Sequence, residues 1–266
     1  MKIYQVDAFT SQIFKGNPAG VCILPAEKMK DHRLLQNIAM EMNLSETAFL
    51  CKQGNEYKLR WFTPETEVQF CGHATLSAAH ILWETGAEQK QATIQFDTLT
   101  GKLFARYKQD KVELDFPAFE THKSPAQKNI DMALGIDPVF IGTTRTIYLI
   151  EVDNFQTLKA IQPNFIKLKE LGRAFCVTCK SDTPEYDFYS RYFAPAVGVN
   201  EDPVTGSAHA SLAPYWGKKL GKIVLRAYQA SKRGGTLECE LAPDNRVFIR
   251  GEARTVFEIE MKTGES

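Results

Sequence analysis

The chain has 266 residues, 44% of them hydrophobic, and its 32 basic residues balance 32 acidic ones. That length points to about two domains of ~150 residues, each with a core of its own. The even charge, with no basic stripe, argues against a nucleic-acid binder, and no apolar run approaches the ~18 residues that span a membrane. Met1 to Asp7 has neither the long apolar core nor the cleavage-site pattern of a secretory leader. Six scattered cysteines fit reduced thiols in a cytoplasm better than a disulfide framework.

Lys2 to Ala8 alternates as a strand, with Ile3, Val6 and Ala8 apolar. Gly16-Asn17-Pro18-Ala19-Gly20 has strong turn chemistry and predicts a loop before a strand over Val21 to Leu24. That loop is either a plain connection or a place where a ligand touches backbone; it is no nucleotide-binding glycine pattern. Asp31 to Met42 reads as an amphipathic helix, with Leu34, Leu35, Ile38 and Met42 on one side and Asn43 suited to its end. Glu46 then heads the strand-like run Thr47 to Cys51. A carboxylate there is either a solvated strand end or a buried general acid/base whose pKa burial raises.

Tyr57 to Phe62 is a further strand, leading through a Pro64 turn to a helix that opens at Gly72-His73. Ala74, Ala78 and Ile81 share one face of that helix, Leu76, Ala79 and Trp83 lie beside them, and charge appears only at Glu84. A helix with no charged face is buried all round. Thr93 to Phe96, Lys102 to Lys108 and Val112 to Phe116 follow as strands. Pro117-Ala118-Phe119 and the polar Thr121 to Lys128 mark a domain boundary.

The second half predicts a short helix over Asn129 to Leu134, a strand over Thr146 to Val152, and short helices or turns at Phe155 to Ala160 and Phe165 to Leu171. Cys176 and Cys179 stand three apart on the strand Ala174 to Cys179. They point to opposite faces and cannot share a metal. Asp187 to Phe193 is a strand, and a helix begins near Gly206, with Pro214 expected to kink or break it. Asp202-Pro203 is a turn signal, and Thr205 or Ser207 could cap the helix; alternatively Asp202 and Ser207 stand at the mouth of a site. Strands over Ile223 to Gln229, Thr236 to Leu241, Val247 to Arg250 and Arg254 to Met261 finish the chain.

Two stretches share one pattern. Arg60-Trp61-Phe62-Thr63-Pro64 precedes Gly72, and Arg191-Tyr192-Phe193-Ala194-Pro195 precedes Gly206. An internal duplication would give each half one buried helix start, and the unpaired amides and dipole of a helix start attract anions. Other chemistry has little support. His73 and His80 would lie about 10 Å apart along one helix, too far for a shared metal. Ser207 sits in no nucleophile elbow. What remains is a metal-free, cofactor-free acid/base site suited to a small carboxylated metabolite.

Several blocks then carry a resemblance. Asp7-Ala8-Phe9-Thr10, Gly16 to Gly20, Asn43-Leu44-Ser45-Glu46-Thr47-Ala48-Phe49, Phe70-Cys71-Gly72-His73-Ala74-Thr75 and Glu201-Asp202-Pro203-Val204-Thr205-Gly206-Ser207-Ala208 resemble the signature blocks of the phenazine-biosynthesis PhzF family. The resemblance implies an α+β fold of two pseudo-symmetric rolls, shared with diaminopimelate epimerase. Each roll is a mixed sheet around a central helix, and the active site lies in the cleft between them. On this chain the rolls would cover residues 1–118 and 119–251, with strand 254–261 crossing back to the first.

The resemblance also implies a homodimer and an isomerase; the type enzyme isomerises trans-2,3-dihydro-3-hydroxyanthranilate without a cofactor. Glu46 matches the family's proton-shuttling carboxylate, and His73 and Asp202 match its companion polar residues. Gly72, Gly206 and Ser207 match its substrate-binding positions, and Asn17 is grouped with them. Diaminopimelate epimerase uses two cysteines, one from each half. Here Cys71 stands at the first helix start and no thiol at the second, which favours Glu46 as proton carrier over a two-thiol racemase. The contrasting class is a non-catalytic binding module that retains the fold.

Overall fold

The computed structural model describes residues 1–124, 129–144 and 147–262. The chain divides into two compact units, Met1–Asp115 with the segment from Arg250 onward, and Phe116–Ile249. In chain order the first run is β1 (Lys2–Ala8), β2 (Asn17–Ile23), α1 (His32–Met42), β3 (Glu46–Gln53), β4 (Glu56–Phe62), β5 (Glu67–Val68), α2 (Gly72–Glu84), β6 (Ile94–Thr98), β7 (Gly101–Lys108) and β8 (Lys111–Pro117). Then come β9 (His122–Lys123), α3 (Ile130–Leu134), β10 (Phe140–Thr143), β11 (Ile147–Glu151), α4 (Phe155–Ala160) and α5 (Phe165–Glu170). They are followed by β12 (Ala174–Lys180), β13 (Phe188–Ala194), β14 (Val199–Asp202), α6 (Gly206–Leu220), β15 (Val224–Gln229) and β16 (Gly235–Ala242). β17 (Arg246–Gly251) carries the chain back to the first unit, and β18 (Ala253–Glu260) ends it. Thr146, expected at the head of β11, lies outside the described residues, as do 125–128 of the expected boundary.

In the first unit β18 lies antiparallel to β1, and β1 to β2. β2 is parallel to β3, β3 antiparallel to β4, β4 parallel to β6, and β6, β7 and β8 are successive antiparallel neighbours. A parallel pair needs a crossover, and α1 and α2 supply the two. α1 lays Leu35, Ile38 and Ala39 on Cys22, Phe49 and Phe62 of the sheet. α2 packs against β1, β2 and β3. With helices against the sheet, β3 buries Thr47 through Cys51 without a break, which explains its continuous apolar run. All of α2 is buried except His80 and Glu84, as its missing charged face predicts.

The second unit has the same alternation of pairings. β11 is parallel to β12, β12 antiparallel to β13, β13 parallel to β15, and β15 antiparallel to β16. α4 and α5 cross between the first parallel pair, burying Leu158 and Leu168 with Val177 and Phe193. α6 crosses between the second and packs on β15 and β16. Mixed sheets carrying helices give the α+β class. No helix among the described residues is long and apolar enough to cross a membrane.

Two local expectations are corrected. Of Gly16 to Gly20 only Gly16 lies in the loop, in the left-handed region at φ 65, because β2 already begins at Asn17. Pro18 is tolerated there because it faces Asp7 of β1, while the ladder to β3 starts only at Ala19. Pro214 does not break α6, which runs from Gly206 to Leu220 with the proline inside. A helical proline deprives the carbonyl four residues earlier of its donor. Here that carbonyl, on Ala210, accepts the Phe119 N–H at 2.9 Å instead.

Candidate active site

In the first unit four side chains converge where β2 and β3 begin and α2 starts. Glu46 is the first residue of β3 and pairs with Ala19, two positions beyond Asn17, the first residue of β2. Parallel strands put both starts at one edge of the sheet. Cys71 is the N-cap of α2 and His73 its second residue. The His73 ring is the hub. Its Nδ1 lies 3.2 Å from Asn17 Nδ2 and 3.6 Å from Cys71 Sγ. Its Nε2 lies 3.2 Å from Glu46 Oε2, though not aligned for a well-formed hydrogen bond.

These contacts define the state of the ring. Burial pushes the His73 imidazole down to about 3, so it is neutral at physiological pH. The Asn17 amide nitrogen can only donate, so in this assigned orientation Nδ1 accepts and Nε2 carries the proton. The neutral ring therefore presents an N–H toward Glu46. The His73 side chain is 6% exposed and that of Glu46 18%, so Glu46 is the more open of the two. Glu46, Cys71 and His73 offer ligand atoms within 4.8 Å of one another. Cys71 approaches one ring nitrogen and Glu46 the other.

In the second unit the expected residues cluster at the start of α6. Asp202 ends β14, and the Thr205 hydroxyl donates to its carboxylate. Gln229, fully buried at the end of β15, clasps this turn. Its Oε1 accepts from Thr205 N at 2.9 Å, and its Nε2 donates to the Asp202 carbonyl at 2.8 Å. Gly206 and Ser207 are the first two residues of α6. His209, one turn on, donates through Nδ1 to the Thr205 carbonyl at 2.8 Å; burial holds it down at about 4, against the raising effect of that bond.

Neither Cys71 nor Thr205 caps its helix with its own side chain. The first amides of α2 and α6 are thus not claimed by their N-cap side chains, and Gly72 and Gly206 at the two helix starts are both buried. Asn17, Glu46, Gly72 and His73 are brought together in the first unit, with Asp202, Gly206 and Ser207 in the second. Sequence reasoning left Cys71 outside the binding set and missed Gln229 and His209. Gln229 has no motif around it, since its role lies in contacts with residues 24 to 27 positions away.

A family model described as phenazine biosynthesis-like protein matches residues 6–259. The chain belongs to the PhzC–PhzF family. Among family members, an uncharacterized isomerase of Halalkalibacterium halodurans is 52% identical over 265 residues, 97% of each chain. The crystal structure of a PhzF-family protein from Enterococcus faecalis superposes with a TM-score of 0.93 at 42% identity, covering 98% of this chain and 99% of that one. A predicted epimerase of Pseudomonas aeruginosa, 21% identical, shares the fold with a TM-score of 0.79 over 99% of each chain. The architecture is the diaminopimelate-epimerase-like α+β fold.

Proposed function

We propose that this chain is a cofactor-independent isomerase that moves a proton on a small carboxylated substrate, with Glu46 as the proton carrier. The observation that carries the reading is the neutral His73 ring, oriented by Asn17 and standing 3.2 Å from the more open Glu46 carboxylate. The 52%-identical relative is itself named an isomerase. In the proposed step Glu46 accepts a proton from a substrate carbon as that C–H bond breaks. The electron pair moves into the substrate's conjugated system, and the Glu46 carboxyl then returns the proton to another carbon. Base and acid are the same group, so the step balances without a further reagent.

The His73 N–H steadies the Glu46 carboxylate or a polar group of the substrate. The reading gives the substrate's carboxylate to the helix-start amides at Gly72, where charge developing in the transition state is stabilised; Asp202, Gly206 and Ser207 are proposed as the polar and anion-attracting groups of the second unit. Solvent-deuterium incorporation, followed by NMR on a panel of small unsaturated amino and hydroxy acids headed by trans-2,3-dihydro-3-hydroxyanthranilate, tests it. Glu46→Gln should lose ~10²–10⁴-fold of the exchange while still binding. Near wild-type exchange in that variant would remove Glu46 from the role.

A second reading, an amino-acid-type epimerase working through a thiol, is favoured by one observation. Cys71 Sγ stands 3.6 Å from His73 Nδ1, in the same cluster. Cys71→Ser separates the two readings, since exchange survives it under the Glu46 mechanism and is lost under the thiol one.

A further inference from the structure

The duplicated Arg-aromatic-Phe-x-Pro pattern has a structural counterpart that the proposed chemistry does not use. Arg60 grips Glu67 with two parallel hydrogen bonds, Nε to Oε1 and Nη2 to Oε2, both 2.7 Å. Arg191 grips Glu201 in the same fork, at 2.7 and 3.1 Å. Each guanidinium lies over the phenylalanine two residues on, 5.1 Å from the Phe62 centroid and 4.9 Å from that of Phe193. The remaining nitrogen donates to backbone carbonyls on a neighbouring segment. For Arg60 the acceptor is Met29 at 2.7 Å; for Arg191 they include Leu158 at 3.1 Å and Ile161 at 2.9 Å, at the end of α4.

The spacing after each glutamate is the same in both units. Glu67 precedes Gly72 by five residues, and Glu201 precedes Gly206 by five. The arginine precedes its glutamate by seven residues in the first unit and ten in the second. The extra three fall in the connection after the strand, where Pro195–Val197 forms a single 3-10 turn. The longer connection thus lies upstream of the glutamate, and the glutamate-to-helix spacing is the same in both units. Both pairs are mostly shielded, with side chains 15% and 18% exposed in the first and 11% and 23% in the second. The hydrogen bonds from Arg60 hold the Glu67 carboxyl below the usual carboxylate range, as a real ion pair should.

We propose that Arg60–Glu67 and Arg191–Glu201 are positioning pairs, one per unit, that hold the five-residue approach to each helix start in register. Through that approach Arg60 sets His73 against Asn17 and Glu46, and Arg191 sets the Asp202–Thr205 turn. None of the four residues touches substrate in this scheme. The inference rests on the isomerase reading for its consequence but not for its test. A planar fork is needed because a lysine keeps the charge and loses the paired bonds.

The test is long-range nitrogen–proton NMR of the histidine rings in the ligand-free full chain, comparing wild type with Arg60→Lys and Arg191→Lys. Arg60→Lys should move the His73 signals from a single Nε2–H tautomer toward a mixture and leave His209 unchanged. Arg191→Lys should disturb the Nδ1–H tautomer of His209, which reports the Thr205 carbonyl, and leave His73 unchanged. Glu67→Gln and Glu201→Gln repeat the comparison from the other partner if a lysine variant fails to fold. If both rings keep their wild-type signals, or both variants disturb both rings alike, the pairs brace the fold and the proposal is wrong. Where deuterium exchange is measurable, Arg60→Lys should lower kcat, on the order of 10²-fold for a misplacement near 1 Å, with little change in KM. Arg191→Lys should act mainly on KM. A failure of Glu46→Gln to lose exchange would overturn the isomerase mechanism and leave the NMR result standing.

Discussion

His73 and His209 are both buried and both neutral, and that has a consequence in acid. Their folded-state values, about 3 and about 4, lie below the ~6.5 of an exposed imidazole. Between pH 6.5 and 4 the unfolded chain binds protons that the native chain does not. Stability is therefore full above pH 6.5 and falls as the pH drops through that window, by up to about 1.4 kcal/mol per pH unit for each ring. Thermal unfolding from pH 7.5 to 4.5 should show the decline, and His209→Gln should make it shallower. At this scale a carboxylate heading an apolar strand left Glu46 open between a solvated strand end and an acid/base, and only the family resemblance singled it out. The partnership of His73 with Asn17 was not legible, because 56 residues separate them.

At the scale of the element, Glu46 depends on how closely β2 approaches β3. Gly20 lies opposite Thr47, the residue after Glu46. A methyl group on Gly20 would meet Thr47 Oγ1 at 2.8 Å, Cγ2 at 2.9 Å and Cβ at 3.3 Å. Thr47 is β-branched and fully buried, so no rotation about χ1 clears all three contacts. Gly20→Ala should therefore destabilise by about 1–3 kcal/mol, the usual cost of overpacking. Denaturant unfolding would show this as a lower midpoint with an unchanged slope. Helix α1 needed no such tertiary knowledge. Asp31 accepts from Leu34 N at 3.0 Å, and Asn43 closes the helix in the left-handed region at φ 50. Both are local effects, which is why its ends could be read directly.

At the scale of the whole molecule, the first and the last strand of the described residues lie in one sheet. β1 sits between β2 and β18, and Lys2 to Ala8 pair along β18 from Glu260 back to Ala253. A chain shortened to end at Gly251 should leave β1 with an unpaired edge. Its amides, and those of Thr10, whose N–H is held by the Glu252 carbonyl at 3.1 Å, should exchange with solvent much faster. Hydrogen exchange on the shortened and full chains checks this. β12 and β13 of the second unit, which pair with neither strand, should keep their protection; loss of it would mean that the units do not unfold separately.

Taken alone, the sequence determined what local forces control. Alternation and apolar runs marked the strands, missing charge marked α2 as buried, and the repeated Arg–Pro–Gly pattern marked two helix starts. Tertiary structure decided what depends on partners distant in sequence. It made Asn17 and Pro18 part of a strand by pairing them with β1, and it kept α6 whole through Pro214 by giving the Ala210 carbonyl a donor from Phe119. It also buried Gln229 beneath the Asp202 turn and brought Asn17, Glu46, Cys71 and His73 together. A lost backbone partner or a polar group without water is costly to bury, so such residues are settled only when the whole fold supplies the other half of each bond.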